Sequence, residues 1–300
     1  MLKLIFSVIA FVGLAVTTVQ PATAQQQGKQ IRFPCGTGLV HNDFMPGLQG
    51  GFASLKTLQN GLLHQTSMQV ADLQQGELNL TFVGHATFLI QSPAGVKVIT
   101  DYNDYYRASV LPDIATMNTQ RSNHSTETIE PSITHVLRSW SDTGNAAKHD
   151  VTLKDVRVYN TPTNLTGGED FFDVSSVFVV QSHGLCVAHM GHLRHLLNQK
   201  QFSKIGRIDV LLIPVDRRVT QSYEELVHNV KGINPRLIVP MHFNAMFTVD
   251  EFLQDISKVY PVKRIKSHKL TINRKMLPMK TEVLFITPKE LSGNGFGSRL

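Results

Sequence analysis

Residues 114–124 read Ile-Ala-Thr-Met-Asn-Thr-Gln-Arg-Ser-Asn-His: a short, largely apolar run, Ile114-Ala115-Thr116-Met117, then a polar turn, Asn118-Thr119-Gln120-Arg121-Ser122-Asn123-His124, closed by one histidine. An apolar run of this length bounded by turn-forming residues reads as a buried strand. His124 then stands just past a strand end, where a rigid sheet holds a loop side chain in place. Three other histidines stand in the same relation to apolar runs. His85 lies in the turn Gly84-His85-Ala86-Thr87, His192 follows the run ending at His189, and His242 follows the run ending at Met241. Imidazoles at the ends of separate strands can meet above one sheet edge. Three neutral imidazoles and a water make an open tetrahedral zinc site, which brings the pKa of that water to about 7.

The pattern around these residues changes along the chain. Period-2 and short apolar runs at 78–83, 87–90 and 96–100 predict a meander, with Ser92-Pro93-Ala94-Gly95 as a turn. Runs at 133–137, 156–159, 177–181 and 185–189 extend it, and Ser182-His183-Gly184 supplies a hairpin turn. After His189, strands alternate with helices. Strands are expected at 208–214, 236–241 and 282–287. Ser222-Tyr223-Glu224-Glu225 and Thr248-Val249-Asp250-Glu251 have capping-box spacing for two helices. No internal repeat stands out.

The chain has 300 residues and 42% hydrophobic content, enough for one substantial globular body. Lys3, an apolar run from Leu4 to about Val16, and Ala22-Thr23-Ala24 form a Sec-type signal-peptide pattern over residues 1–24, with cleavage expected after Ala24. The apolar core is shorter than the ~20 residues of a bilayer span, so the mature protein is expected to be periplasmic or secreted and not transmembrane. Residues 25–76 read as an irregular N-terminal extension with one helix near 52–68, residues 77–289 as the folded domain, and 290–300 as a loose tail. Of the two cysteines, Cys35 and Cys186, export permits one disulfide; alternatively Cys186, inside Leu185-Cys186-Val187-Ala188, packs as a small hydrophobe.

The formal charge is +6, and removal of residues 1–24 takes away one base and no acid. Much of the excess is local, since no acid occurs between Asp255 and Glu282. Residues 258–280 therefore make either a solvated basic face or a contact for an anionic surface. The stretch from Lys263 to Lys280 lacks aromatic residues for base stacking, so no specific nucleic-acid partner is expected. There is no Gly-x-Ser-x-Gly elbow and no phosphate loop followed by Lys-Ser or Lys-Thr. A Cys186–His189 dyad is rejected because three residues along a strand point the side chains to opposite faces.

Together the Gly84-His85-Ala86-Thr87 turn, Lys97-Val98-Ile99-Thr100 leading into Asp101, the turn at Asn118–His124, the Gly191-His192 step, Asp209–Pro214 and Ile238-Val239-Pro240-Met241-His242 resemble the metallo-β-lactamase superfamily. The closer resemblance is to its ascorbate-phosphate lactonase-like branch of metal-dependent hydrolases. It implies an α/β fold, a four-layer αβ/βα sandwich, with a hydrolytic site, usually binuclear, at one edge of the paired sheets. The family turn is usually written Thr-His-x-His-x-Asp-His. Here Thr119 and Arg121 stand in place of two histidines, Asn123 in place of the aspartate, and only His124 is retained. His242 matches a second ligand, and His192 stands where a bridging aspartate normally follows glycine. Asn164 stands near the place of a third first-site histidine. The resemblance thus implies one Zn²⁺ on His124, His192 and His242, with Asn123 nearby, and loss of the other site.

Two functional expectations follow. In one, an exported hydrolase uses zinc-activated water on a small anionic or ester substrate, an ester, lactone or phosphoester. Arg121 then anchors the anion and His85 or His189 orients a group or moves a proton. In the other, an envelope protein keeps the fold as a binding or scaffold body without the metal.

Overall fold

The computed structural model describes residue 35 and residues 73–164 and 174–289. In chain order the elements are β1 Leu78–Gly84, β2 Thr87–Gln91, β3 Lys97–Ile99, β4 Ile114–Met117, β5 His135–Arg138, β6 Asp150–Leu153, β7 Val156–Asn164, β8 Val174–Ser182 and β9 Leu185–His189. Then follow α1 Gln199–Ile205, β10 Val210–Pro214, α2 Tyr223–Ile233, β11 Leu237–Met241, α3 Met246–Ile256, β12 Val262–Ile265, β13 Lys269–Ile272 and β14 Glu282–Ile286.

Two mixed sheets result. The first runs β13-β1-β2-β3-β4-β5 and the second β12-β14-β11-β10-β9-β8-β7-β6. In the second sheet β12, β14, β11, β10 and β9 are parallel, and β8, β7 and β6 continue antiparallel. β8, β9, β10 and β11 are buried at every residue, because one face meets the other sheet and the opposite face is covered. Phe82 of β1 and Phe88 of β2 stack at 4.3 Å in a core shared with Val177, Val187, Leu211 and Val239 of the second sheet. α2 and α3 add Leu226, Val230, Val249, Phe252 and Ile256 to this core.

The local signals mostly hold. Ser222 accepts from the Glu225 backbone N–H and the Glu225 carboxylate accepts from the Ser222 N–H, the expected reciprocal cap. His183 and Gly184 have φ of 47° and 77°, the left-handed pair that a tight two-residue hairpin requires. The second expected cap is corrected: α3 begins at Met246, after Ala245 with no side-chain cap, so Thr248–Glu251 lies inside the helix. The chain leaves β11 at His242 and turns into α3 within four residues, so tertiary placement sets that start.

Cys35 and Cys186 form a disulfide with a Cα–Cα distance of 5.8 Å, which replaces the reading of Cys186 as a packed free thiol. It ties the segment before the domain to the start of β9. The expected signal peptide, the helix near 52–68 and the tail from 290 lie outside the described residues. No described helix is long and apolar enough to cross a membrane.

α1 and α2 pack at Gly232, where an added Cβ would run into the Phe202 ring. Gly232→Ala gains about 1 kcal/mol of helix propensity but displaces that ring, an overpacking cost of about 1–3 kcal/mol. Thermal unfolding is expected to show a lower Tm for Gly232→Ala, and an equal or higher Tm when the substitution is made in a Phe202→Ala background.

Candidate metal centre

β1, β4, β9, β10 and β11 all deliver a polar side chain at or just beyond their C-terminal ends, and the chain after β3 delivers Asp101. His85 is buried in the β1–β2 turn, with φ of 49°. His242 follows β11 with φ of 57°, and its N–H donates to the His85 carbonyl at 2.8 Å. His124 is fully buried; its N–H donates to the carbonyl of Arg121 at 2.8 Å, which closes the turn. His192 is placed by Asn118, whose Oδ1 accepts from the His192 N–H at 2.9 Å and from Ser175 Oγ at 2.7 Å. Gly191 has φ of 57°, and a Cβ there would strike the Asn118 side chain, so this step needs glycine on both counts.

The rings converge. His124 Nε2 lies 3.1 Å from His242 Nε2, and His192 Nδ1 lies 3.0 Å from the same His242 atom. Ligand nitrogens of His85, His124 and His242 all lie within 4.8 Å of one another. Two carboxylates stand behind this group. Asp101 Oδ2 is 2.5 Å from His124 Nδ1, and Asp216 Oδ2 is 2.5 Å from His242 Nδ1. The hydrogen bond to Asp101 puts the proton of His124 on Nδ1, and the close Asp216 carboxylate favours the same tautomer at His242, which leaves both Nε2 atoms as bare lone pairs near one another. Nitrogens on a tetrahedral zinc with bonds of 2.0–2.1 Å are about 3.3 Å apart, close to these separations. Two bare lone pairs at 3.1 Å in a dry site repel unless a cation lies between them, and His192 Nδ1 approaches the same His242 atom at 3.0 Å. The residues present fit a bound metal ion.

Electrostatics keep the nitrogens available. Burial, then the charges of His242, His124 and His192, push His85 down to about 2. Burial, followed by His242, His124 and Arg121, brings His192 to about 2. His124 is held well below the ordinary imidazole range by burial, then by His242 and Arg121. Burial pushes the Asp101 carboxyl up to about 7, against the pull of His189, His242 and the Asn118 N–H. Burial would also raise Asp216, but the His242 contact and bonds from Thr220 and the Arg218 N–H prevail and hold it below the usual carboxylate range.

Each expected site residue has a definite place. His124, His192 and His242 come together, and His85 joins them as a fourth imidazole. Asn123 turns to His85, with its Nδ2 donating to His85 Nε2 at 2.8 Å. Arg121 is exposed, yet its charge is felt by both His124 and His192. Thr119 is buried in the turn. His189 is a packing residue, buried and donating from Nε2 to the Ala86 carbonyl at 2.7 Å. Sequence reasoning named Asp101 only as the end of a strand motif and missed Asp216 and Asn118. The available signal for Asp216 was an acid two residues beyond a fully apolar strand, in the same relation as the histidines.

Residues 79–242 match the family model described as beta-lactamase superfamily domain. A UPF0173 metal-dependent hydrolase of Methanosarcina mazei is 21% identical over 212 residues, covering 62% of this chain and 92% of that protein. Another, from Heliobacterium modesticaldum, is 29% identical over 99 residues, 31% of this chain and less than half, 41%, of that protein. Among solved structures, one named as a Zn-dependent hydrolase of the metallo-beta-lactamase superfamily from Thermotoga maritima is 25% identical, with TM-score 0.53, covering 70% of this chain and 98% of that one. A metallo hydrolase from Ignicoccus hospitalis is 15% identical with TM-score 0.50, covering 66% and 99%. The two mixed sheets are those of the metallo-beta-lactamase fold.

Carboxylates that hold a metal-binding imidazole typically contribute 10–100-fold in metal affinity. Asp101→Asn and Asp216→Asn are each expected to weaken Zn²⁺ binding by that order, measured by competition with a chromophoric chelator. Affinity equal to that of the unaltered protein in both variants would remove the carboxylates from the centre.

Proposed function

We propose that this chain, which belongs to the beta-lactamase superfamily domain family, is a metal-dependent hydrolase whose single Zn²⁺ is held by His124, His192 and His242. The observation that carries this reading is the approach of three ring nitrogens at 3.0 and 3.1 Å, two of them fixed as bare lone pairs by buried carboxylates. When bound, the cation supplies an acidified water and polarises the substrate oxygen. The names of the hydrolase relatives support the same class of reaction.

The chain's own residues divide the remaining work. Asp101 and Asp216 hold the tautomers of His124 and His242. His85 is neutral at physiological pH and held by Asn123. Its place against His124 and His242 suits it to orient the attacking water or the substrate. Arg121 is exposed beside the centre and takes the anionic part of a small ester, lactone or phosphoester. Export to the periplasm or beyond is part of the proposal, supported by the leader pattern of residues 1–24 and by the Cys35–Cys186 disulfide.

A non-catalytic binding protein is the second reading, favoured by Thr119 and Arg121 in place of histidines. Metal analysis and a panel of chromogenic carboxylic and phosphoric esters distinguish the two. About one zinc per chain is expected, lost in His124→Ala and His242→Ala. His85→Ala should keep the metal and lose at least about 100-fold in kcat, the usual scale for a positioned proton-transfer or orienting group. Metal lost in His85→Ala but kept in His192→Ala would exchange the roles of those two residues. Zinc-free, folded protein supports the second reading, and two zinc ions per chain refute the single site.

A further inference from the structure

The loop between β13 and β14, residues 273–281, reads Asn-Arg-Lys-Met-Leu-Pro-Met-Lys-Thr. Its apolar side chains divide sharply. Leu277 is buried and belongs to the core, whereas Met276 is 62% and Met279 92% exposed. The loop is built to hold them there. Arg236, at the start of β11, donates to the carbonyls of Pro278 at 2.7 Å, Leu277 at 2.6 Å and Arg274 at 3.4 Å. Thr281 Oγ1 donates to the Pro235 carbonyl at 2.6 Å. Asn273 Oδ1 accepts from the N–H groups of Lys275 and Met276. A backbone fixed this way costs little further order on docking.

Cations flank the two methionines within the loop: Arg274 and Lys275 precede Met276, and Lys280 follows Met279. Lys258, Lys263 and Arg264 are matched by Asp255, Glu282 and Asp250. Lys275 and Lys280 have no ion pair among the described residues, and no acid lies between Asp255 and Glu282. Arg274 reaches the carbonyl of Gly184, in the hairpin turn beside Cys186, where the disulfide to Cys35 brings the N-terminal segment onto the body. This end of the molecule is the N-terminal edge of the parallel strands, since Glu282 pairs with Leu237 at the start of β11. The metal centre lies at the other end, about 16 Å away along five-residue strands.

We propose that the 273–281 loop is a docking surface for an anionic lipid bilayer, with Met276 and Met279 entering the acyl boundary and Lys275 and Lys280 facing the headgroups. Unbranched methionines adapt to a disordered apolar phase, and each lysine near an anionic surface adds attraction that falls with salt. A nucleic acid would need aromatic platforms that the loop lacks. Docking through this end leaves the metal centre facing the aqueous phase, open to soluble substrates.

Sedimentation of the whole protein with large vesicles tests this. Vesicles of phosphatidylcholine with about one third phosphatidylglycerol are compared with phosphatidylcholine alone, for the unaltered protein, Met276→Asp/Met279→Asp and Lys275→Glu/Lys280→Glu. Binding at least ten-fold stronger to the anionic vesicles is expected, falling ten-fold or more in each variant and in 0.5 M salt, with unchanged circular dichroism and zinc content. Attachment through the apolar run at Leu4–Val16 would persist on phosphatidylcholine and in both variants, and that result overturns the proposal. So does a concentration-dependent dimer that the methionine variant abolishes without any vesicle binding, which assigns the loop to a protein contact.

Discussion

Two buried carboxylate–imidazole contacts, Asp101 with His124 and Asp216 with His242, set what the centre can do. Neutral imidazole has one protonated and one bare nitrogen, and without a partner it can exchange them. A carboxylate behind Nδ1 ends that freedom and aims the bare Nε2 at the opposite side. With both rings constrained in this way and their Nε2 atoms 3.1 Å apart, the apo arrangement is frustrated and a cation relieves it. Burial strengthens the argument, because the low dielectric that depresses the imidazoles also makes their mutual repulsion costly.

The backbone is shaped for the same purpose. His85, Asp101, Gly191 and His242 all have φ between 46° and 57°. Three of these residues carry a Cβ and sit in left-handed conformations that other L residues seldom adopt. Such turns persist where flanking structure over-determines them, and here each lies at the end of a strand locked into a sheet. The turns redirect the chain abruptly, so a side chain leaving a strand end points across the sheet edge and not along the strand. The hydrogen bond from His242 N–H to His85 O joins the two sheets at the point where their ligands meet.

The parts of the fold legible in the sequence were those whose burial leaves a pattern. β1, β2, β9, β10 and β11 are apolar runs bounded by turn residues, and α2 carries its cap in its letters. The strands that were not foreseen, β6, β12 and β13, are all at sheet edges. Nearly all their residues are half-exposed or exposed, and β12 holds Lys263 and Arg264 on an edge that such charges protect from pairing. At the site, the imidazoles were legible because histidine at a strand end is conspicuous. Asp216 was not, since an acid in a loop is ordinary until a buried histidine is found 2.5 Å away. The disulfide was equally hidden: its two cysteines are 151 residues apart, and no local pattern records that they meet.

Charge supports the single-ion reading proposed above. The resemblance implied a binuclear site with an aspartate in the turn and another bridging the metals, and this chain has Asn123 and His192 in those places. Both replacements are neutral, and Arg121 adds a fixed positive charge felt at His124 and His192. The carboxylates that remain, Asp101 and Asp216, stand behind the imidazoles and balance one divalent cation. A second cation would have no anion to face and a guanidinium beside it, in a setting too dry for water to screen either. On that reading, the replacements that disfavour a second metal also leave at the rim a positive charge, Arg121, with no internal partner among the described residues, suited to an anionic group from outside.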